Sequence, residues 1–265
     1  LRKALKDLGM EQVPVVSFNT VGLEKNPGFK ITPQMGMRLA VGVVYGDLIM
    51  RVLYATRPYE KVPGTCQAIL DKWHDKIVRN VIHFNKRDYA NLKGITEDFD
   101  RVERTGEKKP KVGVVGEILV KYHPNANNNI VDIIESEGGE AVVLDLLDFF
   151  LYGMYSKKFN YERLSGSYKQ MWVNKLGIIA VEWLRKPLRK ALRESEHFDE
   201  PSHIEEAAEA ASQIISIGNQ CGEGWLLTGE MVELIHSGVE NVVCLQPFAC
   251  LPNHVTGKGM MKAIR

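Results

Sequence analysis

Four cysteines, at positions 66, 221, 244 and 250, offer the most distinctive chemistry in this chain. Cys250 stands in the loop QPFACLPNH, bracketed by Pro247 and Pro252 and followed by Asn253 and His254. A thiolate on a proline-stiffened loop, at the carboxyl end of a strand, suits an iron or zinc ligand. Cys244 falls inside the preceding strand and reads as a buried, inert thiol. The C-x5-C spacing matches neither the close pairs of zinc sites nor the runs of ferredoxins, so spacing alone defines no metal centre.

Other candidates sit in loops. His123, in VKYHPNANNN, follows a strand and offers a general acid or base near neutral pH, though no carboxylate partner is visible beside it. A surface or hydrogen-bonded loop histidine is the competing reading. GEGWLLTGEM, from Gly222 to Met231, combines glycines with Glu223 and Glu230. It reads either as a cap for the helix that follows, with Glu223 near the amino end, or as a cradle whose backbone amides approach an anion such as a CoA phosphate. The loop from Asn19 to Pro33, rich in glycine and proline, adds Asn19 and Lys30 as cleft candidates, with His254. KVGVVGE completes neither a dinucleotide fingerprint nor a P-loop, and TGKGM lacks the upstream glycines of one. No serine elbow or HExxH pattern suggests a hydrolase.

The elements that would position these residues follow from periodicity. KVGVVG at 111 to 116 and EAVVLDL at 140 to 146 read as strands separated by a helix within 127 to 137, a βαβ unit that implies parallel pairing. NVVCL at 241 to 245 is a further strand, and VPVVSF at 13 to 18 reads as one opening the first lobe. Helices are expected over 34 to 55, with a break or bend at Gly42 or Gly46, and over 65 to 81, where Ile69, Trp73, Ile77 and Val81 recur every fourth residue. Further helices are expected over 204 to 215, with Ala207, Ala208 and Ala211 open to close packing, and over 226 to 236. Between 149 and 193 the sequence suggests several helical pieces interrupted at Gly153, Gly166 and Pro187, and a final helix begins near Thr256. The polar stretch between His83 and Pro110 places a boundary, giving a first lobe at 1–103 and a second α/β domain at 104–265.

Composition bounds the function. The chain has 265 residues, 45% hydrophobic and 25% charged, with 34 basic against 33 acidic side chains and a net charge of +1. That balance supplies no field to draw nucleic acid or an anionic membrane surface. The apolar run Met35 to Tyr54 contains Arg38, Asp47 and Arg51, which favours a buried helix over a membrane span. No export signal is visible and the few thiols fit a reducing cytoplasm. LRKAL reads as a helix already under way and GKGMMKAIR as one stopped short, so the expectation is a fold truncated at both ends.

Four long stretches, PVVSFNTVGLEKNPGFKITPQMGMRLAVGVVYGDLIMRVLYATRPYE, KVGVVGEILVKYHPNANNNIV, GEGWLLTGEM and QPFACLPNHVTGKGMMKAIR, carry a resemblance. The chain resembles the C-terminal dehydratase-like region of the 2-hydroxyacyl-CoA dehydratase activase-related family, which is also related to benzoyl-CoA reductase subunits. The resemblance implies an α/β fold with Rossmann-like parallel sheets flanked by helices. It implies a parent that supports ATP-driven electron transfer and radical dehydration of a 2-hydroxyacyl-CoA, partnered by an ATP-dependent activase module or a dehydratase subunit and acting on acyl-CoA. It further implies a [4Fe-4S] cluster in that parent, with Cys250 as one ligand, the others upstream of Leu1, and no complete cluster within this chain. The alternative is a non-catalytic scaffold that docks an activase or partner subunit.

Overall fold

The computed structural model describes residues 1–15, 32–85, 89 and 92–264. The chain divides into two compact units, Leu1–Leu39 and Ala40–Arg265. The first holds helix α1 (Arg2–Asp7), whose Arg2 guanidinium donates to the Val15 carbonyl at 3.4 Å, and the opening turns of α2 (Pro33–Tyr54), where Thr32 Oγ1 accepts from the Met35 N–H at 3.2 Å. Val13–Val15 form no strand, and the rest of the expected 13–18 strand lies outside the described residues, as do Asn19 and Lys30.

The second unit is a predominantly helical α/β architecture. After the remainder of α2 come a 3-10 turn (Arg57–Tyr59), α3 (Thr65–Ile82) and α4 (Lys93–Asp100). Then follow β1 (Lys111–Gly116), α5 (Ile118–Tyr122), α6 (Ile130–Ser136) and β2 (Glu140–Val143). The chain continues through α7 (Leu147–Arg163), α8 (Tyr168–Arg193), α9 (Ile204–Ser212), α10 (Gly224–His236), β3 (Asn241–Leu245), α11 (Leu251–Thr256), a 3-10 turn (Lys258–Met260) and α12 (Met261–Ile264).

The strands form a small parallel sheet of order β2-β1-β3, with Val114 opposite both Val143 and Val243. Alternation along β1 sends successive side chains to opposite faces. Val115 packs with Leu227, Met231 and Leu234 of α10, and Val114 with Ile134 of α6 and Val143. Helices thus cover both faces of the sheet, as parallel strands require. Gly113 permits the contact with α10, since a Cβ there would lie 2.7 Å from Leu234 Cδ1. Helix α10 is apolar around most of its circumference and correspondingly buried, with Trp225 fully enclosed. Gly229 meets Ala207 of α9, where a Cβ would stand 2.6 Å from the Ala207 carbonyl oxygen.

A second core lies among the helices. Val41, Val44, Leu48 and Val52 of α2 join Cys66 of α3, Ile95 and Phe99 of α4, and Leu184, Leu188 and Leu192 of α8. Helix α2 runs unbroken through Gly42 and Gly46, and α7 and α8 run unbroken through Gly153 and Pro187, contrary to the breaks the sequence suggests. Gly166 does fall in the α7–α8 turn. Pro187 lacks only the N–H that would have reached the Trp183 carbonyl, on the exposed side of the helix, where water can serve it. The stretch Pro33–Tyr59 is long and apolar enough to cross a membrane by length and composition, but within the second unit its Asp47 is buried in hydrogen bonds.

Candidate functional site

The carboxyl ends of parallel strands gather crossover loops, so polar side chains converge there. Beyond β1, Glu117 caps α5 by accepting from the Val120 N–H at 3.0 Å. The Ile118 N–H is taken by Glu223 Oε1 at 3.0 Å. Asn253, fully buried on α11, closes the group: with its amide oriented to match its neighbours, the nitrogen donates to Glu223 Oε2 at 2.8 Å and the oxygen lies 3.2 Å from the Glu117 N–H, which also donates to the Leu245 carbonyl at 2.9 Å. One carboxylate and one amide thereby tie α5, the start of α10 and α11 together. Glu223 stands at the start of α10 but its side chain does not cap that helix; its enclosed carboxylate is engaged by the Ile118 N–H and Asn253 instead.

Below it, Lys121 and Glu230 form a buried pair at 2.7 Å. Burial raises the Glu230 carboxyl, and Lys121 offsets part of that rise. Tyr122 Oη donates to the Leu144 carbonyl at 2.7 Å. Beyond β2 stands a larger charged cluster. Asp145 accepts from Arg51 Nη2 at 2.6 Å and from Arg185, which also donates to Asp148 at 2.8 Å. Burial pushes Asp145 up, but Arg51 and Arg185 more than reverse this and hold it below the ordinary carboxylate range. Asp47 accepts from the Leu146 and Leu147 N–H groups at the start of α7, and burial, with Asp145 close by, drives its carboxyl well above that range. Arg51 and Arg185 answer Asp145 and Asp148, while Asp47 is met by backbone N–H groups.

The sequence candidates are distributed unevenly around these networks. Cys250 is half-buried as the N-cap of α11, which begins at Leu251 and ends at Thr256, rather than beginning there. His254 is exposed one turn on, its backbone N–H donating to the Cys250 carbonyl at 3.1 Å and its Nδ1 lying 3.4 Å from Gln246 Nε2. The structure thus brings Cys250, His254 and, through Asn253, Glu223 to one end of the sheet. His123 is exposed in the turn after α5, where its backbone carbonyl accepts from the Ala126 N–H, and no carboxylate among the described residues pairs with its ring. Cys244 is half-buried against the sheet core rather than fully buried, and burial pushes its thiol up to about 11.

The cluster expectation requires correction. Among the described residues no group of three or more His, Cys, Asp or Glu side chains could hold a metal ion, which overturns the expectation of a [4Fe-4S] cluster held through Cys250. Compared with protein-family models, with curated proteins and with solved structures, the chain matches none of them.

Sequence reasoning missed Asp145, Arg185, Lys121 and Asn253, whose partners lie far off in the chain. The available signal was charge inside apolar runs: Glu230 within GWLLTGEMVELI and Arg185 within VEWLRKPL.

A different feature faces solvent. Tyr168, Trp172, Leu176, Ile179 and Trp183 of α8 are exposed, from 42% for Trp172 to 62% for Leu176. At about 100° per residue they fall within an arc of roughly 80°. The opposite side of α8 carries Leu184, Leu188 and Leu192 into the helical core. Tyr161 of α7 extends the stripe, its ring 5.4 Å from Tyr168, which in turn lies 6.1 Å from Trp172. Lys175 lies over the Trp172 ring at 4.9 Å, and by the same helical spacing Lys186 and Lys190 fall on this arc.

Proposed function

We propose that this chain is a Rossmann-like, non-catalytic docking module of the 2-hydroxyacyl-CoA dehydratase activase-related type, working in the cytoplasm, which engages an ATP-dependent activase module or partner subunit through α7 and α8. The single observation that carries this reading is the exposed aromatic and aliphatic stripe of α8. Contiguous apolar surface of this kind is uncommon on a protein that works alone, and Trp and Tyr are the residues that dominate binding hot spots. The lysines beside the stripe suit a partner face with an acidic rim. The engagement of Glu223 with backbone and amide donors supports a structural rather than a catalytic role for the strand ends.

The test is calorimetry of the chain with a purified activase module. Saturable binding is expected, and Leu176→Glu with Trp183→Glu, on the exposed face, lowers the affinity at least about tenfold. Binding that ignores both substitutions overturns the docking surface. Turnover of a 2-hydroxyacyl-CoA by the reconstituted pair, lost on substitution of a residue in this chain that touches the acyl group, overturns the non-catalytic reading.

A further inference from the structure

A cavity of about 310 Å³ opens beside β2, whose outer edge pairs with no other strand among the described residues. Its volume lies at the small end of ligand pockets. All four residues of β2 line it, and an edge strand directs alternate backbone N–H and C=O groups outward. Tyr54 of α2 and Phe198 give it aromatic walls, and Val142 an aliphatic floor.

Arg104 sets its chemistry. Its Nη1 donates to the Ala55 carbonyl at 2.9 Å and its Nη2 to Thr56 Oγ1 at 3.2 Å, both neutral acceptors, while its Nε is buried without a partner. Arg51, Arg57, Arg185 and Arg189 each pair with a carboxylate; no carboxylate among the described residues pairs with Arg104. Burial, only partly offset by Asp100 and by Glu140 of the cavity itself, holds its guanidinium below the ordinary range. The group lies over the Phe198 ring at 5.5 Å, which leaves an under-neutralised cation next to an apolar wall. Lys111 and His197 also line the cavity. Of its two acidic residues, Glu140 is engaged by Tyr59 Oη at 2.6 Å and by Lys111 Nζ at 3.6 Å; the other is Asp199.

We infer that this cavity binds a small carboxylate with an apolar or aromatic body, its carboxylate toward Arg104 and Lys111 and its body against Tyr54, Phe198 and Val142. Arg104 and Lys111 give the cavity cationic charge for a carboxylate, and the aromatic walls remove apolar surface from water. Inorganic phosphate would meet the cations but leave those walls unused. The site lies on β2 and α2, apart from the exposed face of α8, so it stands or falls independently of partner docking.

Calorimetry of the full chain with phenylacetate, phenylacetamide and inorganic phosphate decides the matter. Phenylacetate is expected to bind saturably with a Kd of about 1 mM or below, and the neutral amide and phosphate at least about tenfold more weakly. Arg104→Gln is expected to weaken phenylacetate at least about tenfold with an unchanged circular dichroism spectrum. Should that variant not fold, Lys111→Glu, at the exposed start of β1, sets a carboxylate against the ligand and is expected to weaken it by a similar factor. The inference is overturned by any of four results: no saturable phenylacetate binding, equal binding of acid and amide, phosphate binding as tightly, or a folded Lys111→Glu chain that binds as the wild type does.

Discussion

Arg185 is fully buried, yet its charge is met by Asp145, just after β2, and by Asp148 in the first turn of α7. Removing one member of a buried charged group leaves the others uncompensated, which costs more than the group contributes as a whole. Arg185→Met is therefore expected to destabilise the chain by about 3–5 kcal/mol in urea unfolding, and a loss under about 1 kcal/mol would contradict this account. Glu233 behaves oppositely. Burial pushes its carboxyl up to about 7, although Ser202 Oγ donates to it at 2.6 Å. The folded state thus holds a proton that the unfolded state has released, and this contribution to stability, complete below about pH 4.5, is lost as pH rises through about 7. Glu233→Gln is expected to flatten that part of the pH profile and to exceed the wild type by about 1–3 kcal/mol at pH 8, the difference shrinking at pH 5. Equal wild-type and variant slopes would remove Glu233 as the cause.

Among the elements, the junction of β1 and β3 tolerates least. Gly116 ends β1 at φ 144°, where a Cβ would fall on the backbone carbonyl of Leu245. Neither strand can shift without breaking the parallel register, so Gly116→Ala is expected to cost about 3 kcal/mol or more. Gly138, at φ 85° with open space around it, isolates the backbone effect alone, and Gly138→Ala is expected to cost about 1 kcal/mol. Equal melting temperatures for the two variants would refute the steric argument. The three strands were legible because buried parallel strands are continuous β-branched runs: β1 and β3 fall at the residues their runs marked, while β2 stops at Val143, short of 146. Helix α5 was not legible, since ILVKY after a strand is too short to show a period and depends on the Glu117 cap. Helix α8 was read as broken because Pro187 is a breaker in isolation, whereas packing of Leu184, Leu188 and Leu192 carries the helix through it. Of the site, the loop residues Cys250 and His254 were visible as residues. The pairings that fix their surroundings join positions about a hundred apart, such as Ile118 with Glu223, and periodicity carries no information at that range.

For the whole molecule, a net charge of +1 and an isoelectric point near 7.8 leave little mutual repulsion at neutral pH, and the α8 stripe adds apolar surface. Concentration-dependent association is expected at pH 7.5 in sedimentation velocity. Leu176→Glu with Trp183→Glu is expected to abolish it while changing unfolding stability by no more than about 0.5 kcal/mol, as exposed substitutions usually do. Association that survives both substitutions would place the adhesive surface elsewhere. The four free cysteines are distributed differently from the charges: Cys221 is exposed and Cys250 half-buried, whereas Cys66 sits in the helical core and Cys244 packs beside the sheet. Burial, reinforced for Cys66 by its bond to Glu60, pushes these last two thiols up to about 12 and about 11. Only the thiolate attacks a disulfide reagent, so the chain carries two stopwatches, one wound into each core. Cys221 and Cys250 should label in the first phase with an aromatic disulfide. Cys244, on the outer strand of the sheet, should follow, and Cys66 should come last, timing how far the loosening of one core runs ahead of the other.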